Sequence, residues 1–187
     1  MVKVGRKYSF TESLETVYME GDAKWVNIVD TSKSFGKFVV NLENIGPEAV
    51  QEIEAKLARV EQEAVAYFNE NEGKYEGIQD NFSLDSENQK VLKVYIEEVN
   101  KTTGKTETVP VYDKDGKEIK DFKNAGISIG NGSRIKVKMG LRPYYLPTSK
   151  KAGIRKTLFA IQILELKEQE RTDAGFTAVE DKGHGEF

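Results

Sequence analysis

A chain of 187 residues with 38% hydrophobic and 32% charged side chains has room for one full domain and an appendage, but not for two large domains. It carries no cysteine and one histidine, His184, set among glycines and charges, which excludes disulfides, thiolate metal sites, cysteine nucleophiles and histidine triads. The net charge of −3, taken whole, argues against a nucleic-acid partner, and the lack of cysteine, of an apolar leader and of any long apolar run points to a cytoplasmic, non-membrane protein.

In chain order, Lys24–Asp30 and Lys37–Glu43 alternate or run apolar and are predicted as strands. Trp25 is expected in the core, and the loop between the two strands carries the basic-aromatic run Lys33-Ser34-Phe35-Gly36-Lys37. From Pro47 to about Asn71, the residues Val50, Ile53, Leu57, Val60, Ala64, Tyr67 and Phe68 recur at spacings of three and four, which is one face of an amphipathic helix. Pro47 suits the first helical position, and Asn71 to Gly73 supply the stop. The glutamates on its other face read as solvated surface, because no glycine-punctuated calcium-loop spacing accompanies them. Val91–Val99 and Glu107–Tyr112 are further strands, separated by a turn at Thr103-Gly104-Lys105 and followed by another at Asp113-Lys114-Asp115-Gly116. Arg134–Arg142 alternates strictly, and Thr157–Leu166 is apolar on both faces. Five to six strands with one helix between the second and third predict a mainly β barrel. The barrel domain is expected to span residues 1–167, with residues 168–187 expected to form an acidic, flexible tail.

Resolved by segment, the near-neutral charge comes apart. Residues 47–80 carry −6 and residues 168–187 carry −4, whereas residues 131–167 carry +8. Within the basic block, the two-residue strand period sends Ile135, Val137, Met139 and Leu141 to one face, and Arg134, Lys136, Lys138 and Arg142 to the other. A long hairpin connection is expected to follow, with Tyr144, Tyr145, Lys150, Lys151, Arg155 and Lys156. Cations that track phosphates and flat rings on which bases stack are what single-stranded nucleic acid requires, and this stretch supplies both. Lys33, Phe35 and Lys37 repeat the theme. Gly130-Asn131-Gly132-Ser133 reads as a hairpin turn, with an anion-binding nest as the alternative. No phosphate-loop, dinucleotide or nucleophile-elbow motif occurs, so a non-enzymatic, cofactor-free protein is expected.

The run from Gly130 through Lys138, continuing through Leu141-Arg142-Pro143-Tyr144 to Ile163-Leu164-Glu165-Leu166, resembles the single-stranded DNA-binding proteins of T-seven-type phages. Phe10-Thr11, Gly36 to Leu42, Val111 to Lys117 and the acidic tail ending in Phe187 share the likeness. The resemblance implies an OB-fold barrel with an inserted helix and sequence-nonspecific binding of single-stranded DNA in phage replication, recombination and repair. It also implies a homodimer, and a tail whose Glu186 and Phe187 contact the phage DNA polymerase and helicase-primase and compete with DNA. This tail is shorter and less acidic than the family's, with Arg171 and Lys182 diluting it, and Tyr145 has no evident family counterpart. Two alternatives stay open: a protein-interaction barrel whose lysines merely guard a sheet edge, and RNA binding, which turns on contacts to the 2′-hydroxyl.

Overall fold

Alternation along a few long strands builds the molecule, seen here in a computed structural model that describes residues 4–6, 9–10, 12–71, 83–84, 90–101, 103–146 and 151–168. The strands are β1 (Val4–Arg6), β2 (Ser9–Phe10), β3 (Glu15–Asn27), β4 (Lys37–Glu43), β5 (Ser83–Leu84), β6 (Lys90–Glu97), β7 (Val111–Tyr112), β8 (Arg134–Leu146) and β9 (Lys151–Glu165), and the helix α1 (Pro47–Asn71) lies between β4 and β5. Antiparallel pairing runs β8 to β3, β3 to β4, β4 to β6, and β9 back to β8. A parallel contact at Tyr95 and Thr157 joins β6 to β9 and closes the ring. This is the five-stranded closure of an OB-like barrel, with α1 inserted between its second and third strands, as expected.

Inward positions carry the core. Val17 and Met19 of β3, Val40 and Leu42 of β4, Leu92 and Val94 of β6, Ile135, Val137, Met139 and Leu141 of β8, and Leu158 and Ile161 of β9 are all buried. Each such side chain taken out of water contributes roughly 1.5–3 kcal/mol. The helix adds Ile53, Leu57 and Val60 to the same cluster, while its last turns bring Phe68 onto Tyr145, with ring centroids 5.3 Å apart. Lys56 of α1 reaches Glu15 at the start of β3, at 3.7 Å.

Four expectations change. The first barrel strand begins at Glu15 rather than Lys24, because Val17, Met19 and Gly21 face inward between polar residues too varied to register as a strand. Trp25 is not in the core. It sits where the β3–β4 register shifts, at φ 49°, and is 66% exposed, since the bulge turns its side chain out of the barrel wall. The strand expected over Glu107–Tyr112 shrinks to Val111–Tyr112. Finally, the expected long connection after Arg142 is mostly strand, with β8 running on to Leu146 and β9 starting at Lys151. Beyond Leu141 the pairing with β3 ends, so Pro143 lies in β8 without interrupting a ladder to that strand.

Candidate nucleic-acid interface

Because Tyr144 and Tyr145 belong to a strand and not to a loop, the pleat sends them to opposite sides. Tyr145 is 4% exposed against Phe68, so its ring serves the core and is not offered to a ligand. Tyr144 stays on the outward stripe with Arg134, Lys136, Lys138 and Arg142. The barrel wall beside this stripe is not uniform along its length.

At the Arg134 end, β3 places carboxylates directly opposite: Asp22 faces Arg134, and Glu20 faces Lys136. The Arg134 guanidinium donates to Glu20 at 2.9 Å, to Asp22 at 3.2 Å and to the Asn44 carbonyl at 3.3 Å. Burial pushes the Asp22 carboxyl up, but hydrogen bonds from Asn44 and Arg134 outweigh it and hold the group below the ordinary aspartate range. Arg134 is thus tied into a structural ion-pair network.

At the other end the neighbours are cations and rings. Arg142 stands directly across from Arg155 of β9. The Arg155 guanidinium carbon lies 5.7 Å from the Tyr95 ring and 6.0 Å from the Tyr144 ring, and the Lys37 ammonium lies 4.7 Å from Tyr95, all within cation–π reach. The Tyr144 ring lies across Gly153, where a Cβ would fall 2.1 Å from it. Burial, then repulsion from Arg155, lowers the Arg142 pKa. Burial raises that of Tyr144, with a smaller push from Tyr95, so the phenol remains neutral. Nε of Arg142, Nε of Arg155 and Oγ1 of Thr157 are shut off from solvent and have no hydrogen-bond partner among the described residues. The two arginines are cross-strand neighbours and both are partly exposed, so this end of the stripe concentrates positive charge.

The remaining predicted residues scatter. Lys138 faces Tyr18 across β3 and β8, its ammonium 6.0 Å from the ring. Lys33 lies in the turn Thr31–Ser34, and Phe35 follows it at φ 53° and 97% exposed. Lys156 pairs opposite Leu141 and so belongs to the inward side of β9, where burial lowers its pKa to about 8. It leaves the cationic face. Lys150, Glu186, Phe187 and the side chain of Lys151 lie outside the described residues. In the Gly130–Ser133 turn three of the four backbone donors are engaged, Gly130 N to Lys167 O, Gly132 N to Ala23 O, and Ser133 N to Gly130 O, and are not available to an anion. Among the described residues no cluster of three or more carboxylate, histidine or cysteine side chains is arranged to hold a metal.

Three aromatics join the surface that sequence reading did not select. Tyr95 shares the outward side of β6 with Lys93, because Val39 and Asn41 opposite them are outward on β4, and the same alternation was present in the sequence. Tyr18 is 60% exposed on β3. Trp25 stands out beside Lys24, whose ammonium lies 4.7 Å from its ring.

No family model matches the chain, and no curated protein matches its sequence. Solved structures do. The chain is similar to gp2.5, a single-stranded DNA binding protein encoded by bacteriophage T7, at 23% identity and a TM-score of 0.64, with 92% of this chain and 99% of that chain covered. It is also similar to the single-stranded DNA-binding protein from bacteriophage Enc34 in complex with ssDNA, at 10% identity and a TM-score of 0.50, with 91% and 97% covered. The two likenesses span nearly the whole of each chain and establish a shared fold.

Proposed function

We propose that this protein binds single-stranded DNA without sequence preference, through the face centred on Arg142, Arg155, Tyr144 and Tyr95, with Lys37, Lys138 and Lys136 extending the cationic path. The observation that carries the reading is the cross-strand pair of partly exposed arginines, Arg142 and Arg155, flanked by the rings of Tyr95 and Tyr144. Guanidinium groups are suited to phosphate oxygens, and neighbouring rings accept stacked bases whatever their identity. The solved chains of the same fold support it, both being described as single-stranded DNA binding proteins of phages, one of them bound to ssDNA. A non-enzymatic role in phage replication and recombination in the host cytoplasm follows from this reading. The acidic segment 168–187, at net −4, then competes with DNA for the cationic face, with Phe187 and Glu186 docking replication proteins. Homodimerisation belongs to the same proposal.

The test is a titration of the full chain with labelled oligo-dT across a salt series, with duplex DNA and oligo-U in parallel. Neutralising about five phosphates on a single strand gives a log-log salt slope near −3.5. Tight binding of oligo-dT over duplex with a slope of that order supports the proposal, and removal of residues 168–187 is expected to tighten it. Absence of oligo-dT binding at low salt overturns it, and a clear preference for oligo-U moves the assignment to RNA.

A further inference from the structure

A pocket of about 320 Å³ opens beside the stripe, at some remove from the arginine pair. Its walls are the rings of Tyr18, Tyr112 and Phe159, its floor includes Ala160 and Ile161, and Lys136 and Lys138 stand on its lining. Phe159 is there because of a β-bulge: Lys138 pairs with Ala160 while Met139 pairs with Leu158, leaving Phe159 as the extra residue. Bulges commonly re-aim a side chain beside a functional site, and this one lays the ring over Gly140, where a Cβ would come within 2.5 Å of it. The opposite wall is held by Gln162, whose amide donates to the carbonyls of Asp113 and Lys114 at 3.2 Å and fixes the turn carrying Gly116.

The charge of the pocket is one-sided. None of its lining residues is a carboxylate, and two acids on adjoining elements are engaged elsewhere. Glu20 is bonded to Arg134, and Asp113 accepts the amides of Asp115 and Lys117 at 2.9 Å. Three rings and two ammonium groups around a volume at the small end of the usual 300–1,000 Å³ range suit one planar group with an attached anion. We propose, resting on the DNA-binding reading above, that this pocket holds a single unstacked nucleobase of the same strand, its phosphates on Lys136 and Lys138. At about 3.3 Å per residue along β8, Lys138 and Arg142 lie about 13 Å apart, so a strand following the outward stripe meets both sites.

The experiment compares wild type with Tyr18→Ala, a change at an exposed ring that spares the core, on oligo-dT of increasing length. Expected is unchanged affinity for the shortest oligomers that bind, and a five- to tenfold loss on longer ones. One abasic residue moved stepwise along a long oligomer should weaken wild type at a particular position, and the loss should not add to that of Tyr18→Ala, the signature of direct contact. If Tyr18→Ala tracks wild type at every length while Tyr144→Ala is still weakened, the pocket proposal fails and the main face stands. If wild type binds no oligomer, both fall together.

Discussion

The two ends of the β8 outward stripe read alike in sequence, basic residues on alternate positions broken only at Gly140, yet their surroundings are opposite because of what the next strands place beside them. At Arg134, β3 contributes Glu20 and Asp22, and the cation is neutralised within the fold. At Arg142, β9 contributes another arginine and β6 a tyrosine, so positive charge is concentrated rather than neutralised. On the proposed reading a basic stripe is a structural clamp or a binding surface according to its cross-strand partners, and alternation alone does not distinguish the two.

The sharpest way to break this contrast is the double change Arg142→Met and Arg155→Met. Hydrogen bonds to charged groups are worth about 1.5–3 kcal/mol each, so oligo-dT affinity should fall at least 100-fold, while thermal melting stays level or rises as two like charges are relieved. A lowered melting point with intact binding would reverse the assignment of this end. Next in size, Tyr144→Ala should cost roughly 1–3 kcal/mol of binding and little stability. Tyr145→Ala should do the opposite, losing roughly 3–5 kcal/mol in denaturant unfolding as a buried aromatic is truncated. Smaller again, Arg134→Met should change oligo-dT affinity less than twofold and cost about 1 kcal/mol or less of stability, the usual worth of a partly exposed ion pair. Equal losses of DNA affinity at Arg134 and Arg142 would erase the distinction between the two ends.

A pH-dependent effect on stability alone concerns Lys156. Its folded pKa of about 8 lies below the ordinary lysine value of 10.5, so between those values the unfolded chain binds more protons than the folded one. Stability contributed by this group therefore rises with pH across that window. Urea unfolding compared at pH 7.5 and 9.5 should show a rise in wild type that Lys156→Met lacks, and parallel curves would count against an inward lysine.

Much of the barrel was legible because period-two and period-3.6 patterns are local. The inward set of β8 and the buried face of α1 follow from spacing alone. What escaped depended on register and closure. The opposition of Glu20 and Asp22 to Lys136 and Arg134 joins residues far apart in sequence, and the approach of Tyr95 to Arg155 exists only once β6 meets β9. Sequence alone groups Tyr144 with Tyr145, because it predicts a loose hairpin after Arg142. Its continuation as strand separates them, since consecutive residues on a pleat cannot share a face. Lys156 was misplaced for the same reason.

Trp25, turned outward by its bulge at φ 49° and 66% exposed, is also the only tryptophan in the chain. It stands on the first barrel strand, one strand away from β4, whose Val39 pairs with Tyr95. Indole emission from the unmodified protein therefore originates at one position on the rim of the proposed surface. Bases stacking there would quench it, so the molecule carries a built-in optical gauge of occupancy that needs neither a dye nor a labelled strand.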